Sequence, residues 1–199
     1  MQSVRKVCRI VAAATLFGGI FCSCSQNTVL PKHAQHIAHE EIGNLHRVSP
    51  ELYRSGQPEP EGFTKLEQMG VRSVLNLREY RRDTPKAAHT GLHIMEYPMA
   101  ASKATAADVE ACLRLIQEAP KPVLVHCWHG SNRTGIIVAA YRIVFQGWSI
   151  EAAEADLKDE AYGYSEFWYG NLTELLHTTD WKAMKQRLQQ PATQSQTYP

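Results

Sequence analysis

Charge of one sign is what this chain most plainly lacks. Its 199 residues carry 21 Lys and Arg against 20 Asp and Glu, a net charge of +1. No global field therefore recruits nucleic acid or an anionic membrane, and any basic site has to be local. Cysteine is scarce: five residues, with Cys8, Cys22 and Cys24 near the start and Cys112 and Cys127 in the body. That distribution excludes a disulfide framework. Long apolar runs are missing too. The uncharged, mostly apolar stretch from Ile10 to Phe21 is short for a membrane-spanning helix, which needs about 20 residues. No internal repeat is visible, which sets aside solenoids and propellers. The length suits one domain with a sizeable core.

What is present begins with a targeting pattern. Arg5, Lys6 and Arg9 precede the apolar stretch, as in a secretory signal. Phe21-Cys22-Ser23-Cys24 resembles a bacterial lipobox with Cys24 as the lipid acceptor. Residues 1–23 are therefore expected to be a signal peptide. The mature chain is expected in the bacterial periplasm or cell envelope, held at a membrane by its N-terminal lipid. Ordinary cleavage or an uncleaved anchor is the alternative. Residues 24–41 are polar without a clear period and read as a tether. His33, His36 and His39 recur every three residues there and could share a helical face toward a metal. With no Cys or Asp partner nearby, incidental histidines in a solvated linker are the favoured reading. The domain is expected over 42–190, with a disordered tail over 191–199.

Within the domain the periodicity is that of an α/β protein. Leu45–Val48 and Leu52–Arg54 read as short strands around a Ser49-Pro50 turn. Phe63–Met69 has helical spacing closed by Gly70. Val71–Leu77 and His93–Tyr97 read as strands. Thr105 can cap a helix through Ala119 that points Val109, Cys112, Leu113 and Ile116 to one side. Val123–Val125 is a short apolar run after Pro122 and suits a central buried strand. Ile136–Phe145 is apolar almost all round, as a helix inside the fold would be. Ser149 caps a further helix, and Phe167–Leu176 and Trp181–Leu188 complete the set.

The chemistry sits between the buried strand and the apolar helix. The string is His126-Cys127-Trp128-His129-Gly130-Ser131-Asn132-Arg133-Thr134-Gly135. So short a loop has to curl at the helix N-terminus. Its backbone N–H groups then converge as an anion-binding nest, reinforced by the helix dipole. Gly130 lets the backbone turn where a side chain would obstruct it. Arg133 offers a planar fork that holds two phosphate oxygens together. Loop donors, an arginine and a helix N-terminus all favour a cysteine thiolate, so Cys127 is the candidate nucleophile. Thr134 can donate to its sulfur, and His126 can brace the loop. Trp128, His129, Gly130, Ser131 and Asn132 would complete the phosphate cup.

This string resembles the signature loop of the protein-tyrosine phosphatase superfamily. Leu52-Tyr53-Arg54-Ser55-Gly56-Gln57-Pro58 and Val74-Leu75-Asn76-Leu77-Arg78-Glu79 are similar to bacterial and plant-and-fungal atypical dual-specificity phosphatases. The likeness spans about residues 45–178. It implies a twisted, mostly parallel sheet flanked by helices, with the loop at the C-terminal end of a central strand, where open α/β sheets bind ligands. It implies attack of Cys127 on phosphorus, a cysteinyl-phosphate, and hydrolysis by water, with no metal or cofactor. The implied substrates are phosphorylated proteins or small phosphoesters.

One family element is missing. Such enzymes usually carry an aspartic acid on a mobile loop to protonate the leaving oxygen, yet Pro98 to Ala107 contains no Asp or Glu. Asp108 is the first candidate, although a role at a helix start explains it equally well. Asp83 is the second. Arg54 and Arg78 are expected at the substrate rim, and the basic stretch from Arg78 to Lys86 could steer a polyphosphate. Tyr162, Tyr164, Phe167 and Trp168 are expected in the core, as is Cys112. The leading function is a phosphatase for phosphotyrosine-like or mixed phosphate esters. The alternatives are an inositol phosphate or phospholipid phosphatase, and a pseudophosphatase that binds without turnover.

Overall fold

The computed structural model describes residues 33–191. The expected signal peptide, Cys24, the first part of the tether and nearly all of the expected tail lie outside the described residues.

Six strands form one mixed sheet: β1 (Gln35–His36), β2 (His46–Ser49), β3 (Leu52–Ser55), β4 (Ser73–Asn76), β5 (His93–Glu96) and β6 (Val123–His126). Their spatial order is β1-β2-β3-β6-β4-β5. β3, β6, β4 and β5 run parallel, and β1 and β2 form an antiparallel edge. β6 therefore sits between two parallel neighbours, with His126 level with Ser55 on one side and Asn76 on the other.

Alternation sends side chains to two separate cores. Leu52, Leu75, Val123 and Val125 face one cluster, while Tyr53, Val74 and Leu124 face another. This period of two is what strands covered on both faces require. The smaller core is closed by α1 (Pro60–Gln68) through Phe63 and Leu66. The larger is closed by α2 (Ala106–Glu118), α3 (Asn132–Gln146), α4 (Ile150–Leu157), α5 (Glu166–Thr178) and α6 (Trp181–Leu188). α3 is buried on nearly every side, including Ile136, Ile137, Val138, Ala139 and Ala140. It runs through the centre of the helical layer, which fixes the loop before it.

Two expectations need correction. The tether was expected to reach residue 41, but Gln35 and His36 pair with Arg47 and His46, and Ile42 is buried. A two-residue edge strand is held by backbone bonds and leaves no hydrophobic period to read. The three spaced histidines separate: His33 pairs with Asp159, His36 packs edge-on against His46, and His39 pairs with Glu41. Phe167 and Trp168, expected inside, are exposed, whereas Tyr162 is buried.

Candidate active site

β6 delivers Cys127 to the sheet's C-terminal edge, and α3 begins five residues later at Asn132. Residues 127–131 turn between them. Gly130 makes the turn possible. Its φ is +78°, and a Cβ there would lie 2.5 Å from the Ser55 carbonyl carbon. Only a residue with no side chain fits both demands. The Arg54 guanidinium grips the turn from behind, donating to the Gly130 carbonyl at 2.8 Å. Asn44 holds it from the side, donating from Nδ2 to the His129 carbonyl at 2.9 Å.

Arg54 is thus no rim residue, as was expected of it. It is fully buried, with its guanidinium carbon 3.7 Å from the Tyr162 ring centroid. Burial pushes it down to about 10. Arg78 does lie at the rim. It stacks on Trp128 at 4.1 Å and donates to Gln57 Oε1 at 2.6 Å.

A cavity of about 200 Å³ opens over the turn, lined by Ala101, Cys127, Trp128, His129, Asn132, Arg133 and Tyr169. Cys127 is buried beneath it. Arg133 Nη1 lies 3.3 Å from the carbonyls of Leu77 and Met99 and 4.0 Å from Glu79. Asn132 Oδ1 accepts from the backbone of Ser165 at 3.2 Å, which ties the loop to the start of α5. The Thr134 hydroxyl is buried with no hydrogen-bond partner, so the bond expected to the cysteine sulfur is not formed here. Ser131 is buried and stands at the N-cap of α3. A second cavity, about 400 Å³, adjoins the first through Trp128 and Arg133 and is otherwise lined by Arg78, Glu79, Tyr80 and Arg81.

The candidate acids fall elsewhere. Asp108 closes a capping box with Thr105 and accepts from the Tyr97 hydroxyl at 2.9 Å. It is absent from the lining of the cavity, and the residue on the wall is Ala101. Asp83 is buried behind the loop, with Oδ2 2.5 Å from His126 Nε2 and Oδ1 accepting from Gln57 at 2.9 Å. The other ring nitrogen of His126 lies 3.2 Å from the Cys127 carbonyl. His126 is therefore locked between the loop backbone and a carboxylate.

Sequence reasoning missed Tyr169, Ala101 and Asn44. Tyr169 reaches the cavity because α5 breaks locally at that residue (φ −136°, ψ 34°). Asn44 carried a faint signal, since it adopts a positive φ of 55° that Asn tolerates better than most residues.

The chain matches a family of phosphatases, DSP-PTPase phosphatase fused to NAD+ kinase, over residues 27–168. It is 33% identical over 165 residues to the dual specificity protein phosphatase TpbA of Pseudomonas aeruginosa, covering 80% of this chain and 73% of that protein. It is 28% identical over 128 residues to the inositol diphosphatase SIW14 of Saccharomyces cerevisiae, covering 58% of this chain and 45% of that protein. A crystal structure of a TpbA variant with pTyr superposes with a TM-score of 0.71 at 30% identity, covering 81% of this chain and 98% of that one. The fold, the cysteine-centred loop and these likenesses agree: the chain belongs to this DSP-PTPase phosphatase family and is a hydrolase of phosphate monoesters.

Proposed function

We propose that the reaction runs through Cys127 and Arg133, on substrates whose leaving groups need little protonation. The observation that carries this reading is the shared cavity: Cys127, itself buried, and Arg133 both line it, at the N-terminus of a 15-residue helix. The thiolate attacks phosphorus as the P–O bond to the leaving group breaks, with loop amides and Arg133 holding the other oxygens. Water then attacks the cysteinyl-phosphate, the P–S bond breaks, and phosphate leaves. Trp128, His129, Gly130, Ser131 and Asn132 supply the cup, and His126 braces it.

Among the described residues no carboxylate lines the catalytic cavity, and Ala101, within the 98–107 stretch that lacks an Asp or Glu, is one of the lining residues. A phenolate departs without a donor far more readily than an alkoxide. This favours phosphotyrosine over phosphoserine, and the similar TpbA is known in complex with pTyr. A second reading rests on the adjoining cavity lined by Arg78 and Arg81. Two further cations beside the cup suit a substrate with several phosphates, and a phosphoanhydride also leaves without an acid. The SIW14 likeness supports inositol diphosphates as that class.

Turnover of para-nitrophenyl phosphate that disappears in Cys127→Ser and falls at least about 100-fold in Arg133→Lys is the expected result. Retention of turnover in Cys127→Ser refutes the mechanism. A panel of phosphotyrosine peptide, phosphoserine peptide, inositol diphosphate and phosphatidylinositol phosphate decides the substrate class. We also propose lipidation at Cys24 and an envelope location, supported by Phe21-Cys22-Ser23-Cys24. Fatty-acid labelling that persists in Cys24→Ala refutes the anchor.

A further inference from the structure

The large apolar side chains left exposed are not scattered. Among the described residues they are Tyr80, Trp128, Phe145, Phe167 and Trp168; Trp128 and Tyr80 line the two adjoining cavities, and Phe167 and Trp168 stand in the first turn of α5, which is tied to the catalytic loop through Ser165 and Asn132. Trp128 lines both cavities, and Tyr80 lines the second. Phe167 and Trp168 directly precede Tyr169, which lines the first. Single exposed hydrophobics are ordinary, but a cluster round one opening marks an interaction surface.

These side chains project. Tyr80 is 89% exposed, Phe167 85% and Trp168 73%. A side chain that lines a peptide groove is partly covered by the groove, and these are nearly bare. The Phe167 and Trp168 rings meet edge to face at 5.0 Å. Whatever meets the rim has to receive these rings. A folded protein can do so only with matching pockets, whereas the headgroup layer of a bilayer takes up protruding aromatic rings without any.

Charge points the same way. Arg81, Arg82 and Lys103 are exposed; Arg81 lines the second cavity, Arg82 follows it in the chain, and Lys103 lies two residues beyond Ala101 of the first. Of the nearby carboxylates, Glu79 lies 4.0 Å from Arg133 and Glu166 is paired with Lys158 at 2.7 Å. The rim therefore presents aromatic rings set among arginines and a lysine, complementary to a surface that is negative outside and apolar just below.

We propose that this rim docks on an anionic phospholipid bilayer. Phe167, Trp168 and Tyr80 enter the interface, Arg81, Arg82 and Lys103 meet lipid phosphates, and the cavity faces the headgroup layer. The inference is independent of turnover, since a chain inactive on para-nitrophenyl phosphate could still dock.

Tryptophan fluorescence tests it in the full chain. All four tryptophans lie at 128, 148, 168 and 181, so none falls in the N-terminal segment. Any quenching by bilayer-buried bromine then reports on the domain, whatever the N-terminal segment does. Vesicles of brominated phosphatidylcholine with phosphatidylglycerol should quench the wild type. Quenching should fall at least twofold in Trp168→Phe and on omission of phosphatidylglycerol, and should weaken in Arg81→Gln/Arg82→Gln. Quenching that is absent, or unchanged by Trp168→Phe, overturns the proposal. So does a tenfold rise in KM for an acidic phosphotyrosine peptide in Phe167→Ser/Trp168→Ser without lipid quenching of the wild type, which would assign the rim to a protein partner. Both side chains are exposed, so circular dichroism should be unchanged in that variant.

Discussion

Asp83 Oδ2 lies 2.5 Å from His126 Nε2, and both side chains are fully buried behind the catalytic turn. Gln57 extends the contact outward, donating to Asp83 and accepting from Arg78, which stacks on Trp128. One hydrogen-bonded line therefore runs from the rim to the backbone of Cys127. Burial pushes the Asp83 carboxyl up, but the hydrogen bond and charge of His126 and the Gln57 amide outweigh it, and the group ends below its ordinary value. A carboxyl depressed by folding stabilises the fold above its unfolded value, about 3.9, and loses that contribution as pH falls through the folded value. Asp83→Asn is expected to cost about 3 kcal/mol at pH 7. The gap to wild type should close toward about pH 3. Urea denaturation at both pH values checks the sign, and a gap that widens in acid contradicts it.

Ala101 provides a gain-of-function test. Ala101→Asp puts a carboxyl among the residues that line the catalytic cavity. A well-placed acid contributes about 10²–10⁴-fold. An unoptimised one should still raise kcat on a phosphoserine peptide at least about tenfold, while para-nitrophenyl phosphate changes by less than about threefold. The pH–rate profile for the peptide should acquire a falling alkaline limb. Asp108→Asn is expected to leave the dependence on leaving group unaltered and to cost about 1 kcal/mol through the weakened capping box. Steady-state kinetics on the two substrates separate these roles.

Gly130→Ala should be among the most damaging changes at the site. The left-handed backbone alone costs a non-glycine residue about 1–2 kcal/mol. The new Cβ would also press on Ser55 and Gly56 backbone atoms 2.5–2.6 Å away, which belong to a buried strand and its exit and cannot yield cheaply. Stability is expected to fall by more than about 2 kcal/mol and turnover by more than about 100-fold. Thermal melting and para-nitrophenyl phosphate kinetics measure the two losses.

Strand β6 and the helix after it were legible because burial leaves a mark: Val123-Leu124-Val125 and Ile136–Ala140 are apolar without interruption. The start of α2 was legible because Thr105 and Asp108 are local partners three residues apart. What escaped depends on tertiary geometry. Arg54 is a cation in a strand whose neighbours are Tyr53 and Ser55, and nothing local says that its partner is a carbonyl 76 residues away. Tyr169 faces the cavity only because one residue of α5 leaves helical geometry. Phe167 and Trp168 have the composition of a core and the position of a rim, a distinction hydrophobicity alone cannot draw.

The helical layer rests on a second buried ion pair away from the site. Arg142 in α3 donates from Nε and Nη2 to the two Asp156 oxygens in α4, at 2.6 and 3.1 Å. Both residues are almost fully buried, and the Arg142 guanidinium also stacks on Trp148 at 4.0 Å. Such a pair adds little over an apolar replacement, because desolvation offsets most of the attraction, but removing one partner strands the other charge. Asp156→Ala is therefore expected to destabilise by about 3–5 kcal/mol. The double variant Arg142→Met/Asp156→Leu, which removes both members of the pair, should recover most of that loss. Denaturant midpoints of the single and double variants test this directly. A double variant as unstable as Asp156→Ala would mean that the α3–α4 contact depends on the charges themselves rather than on filling the space they occupy.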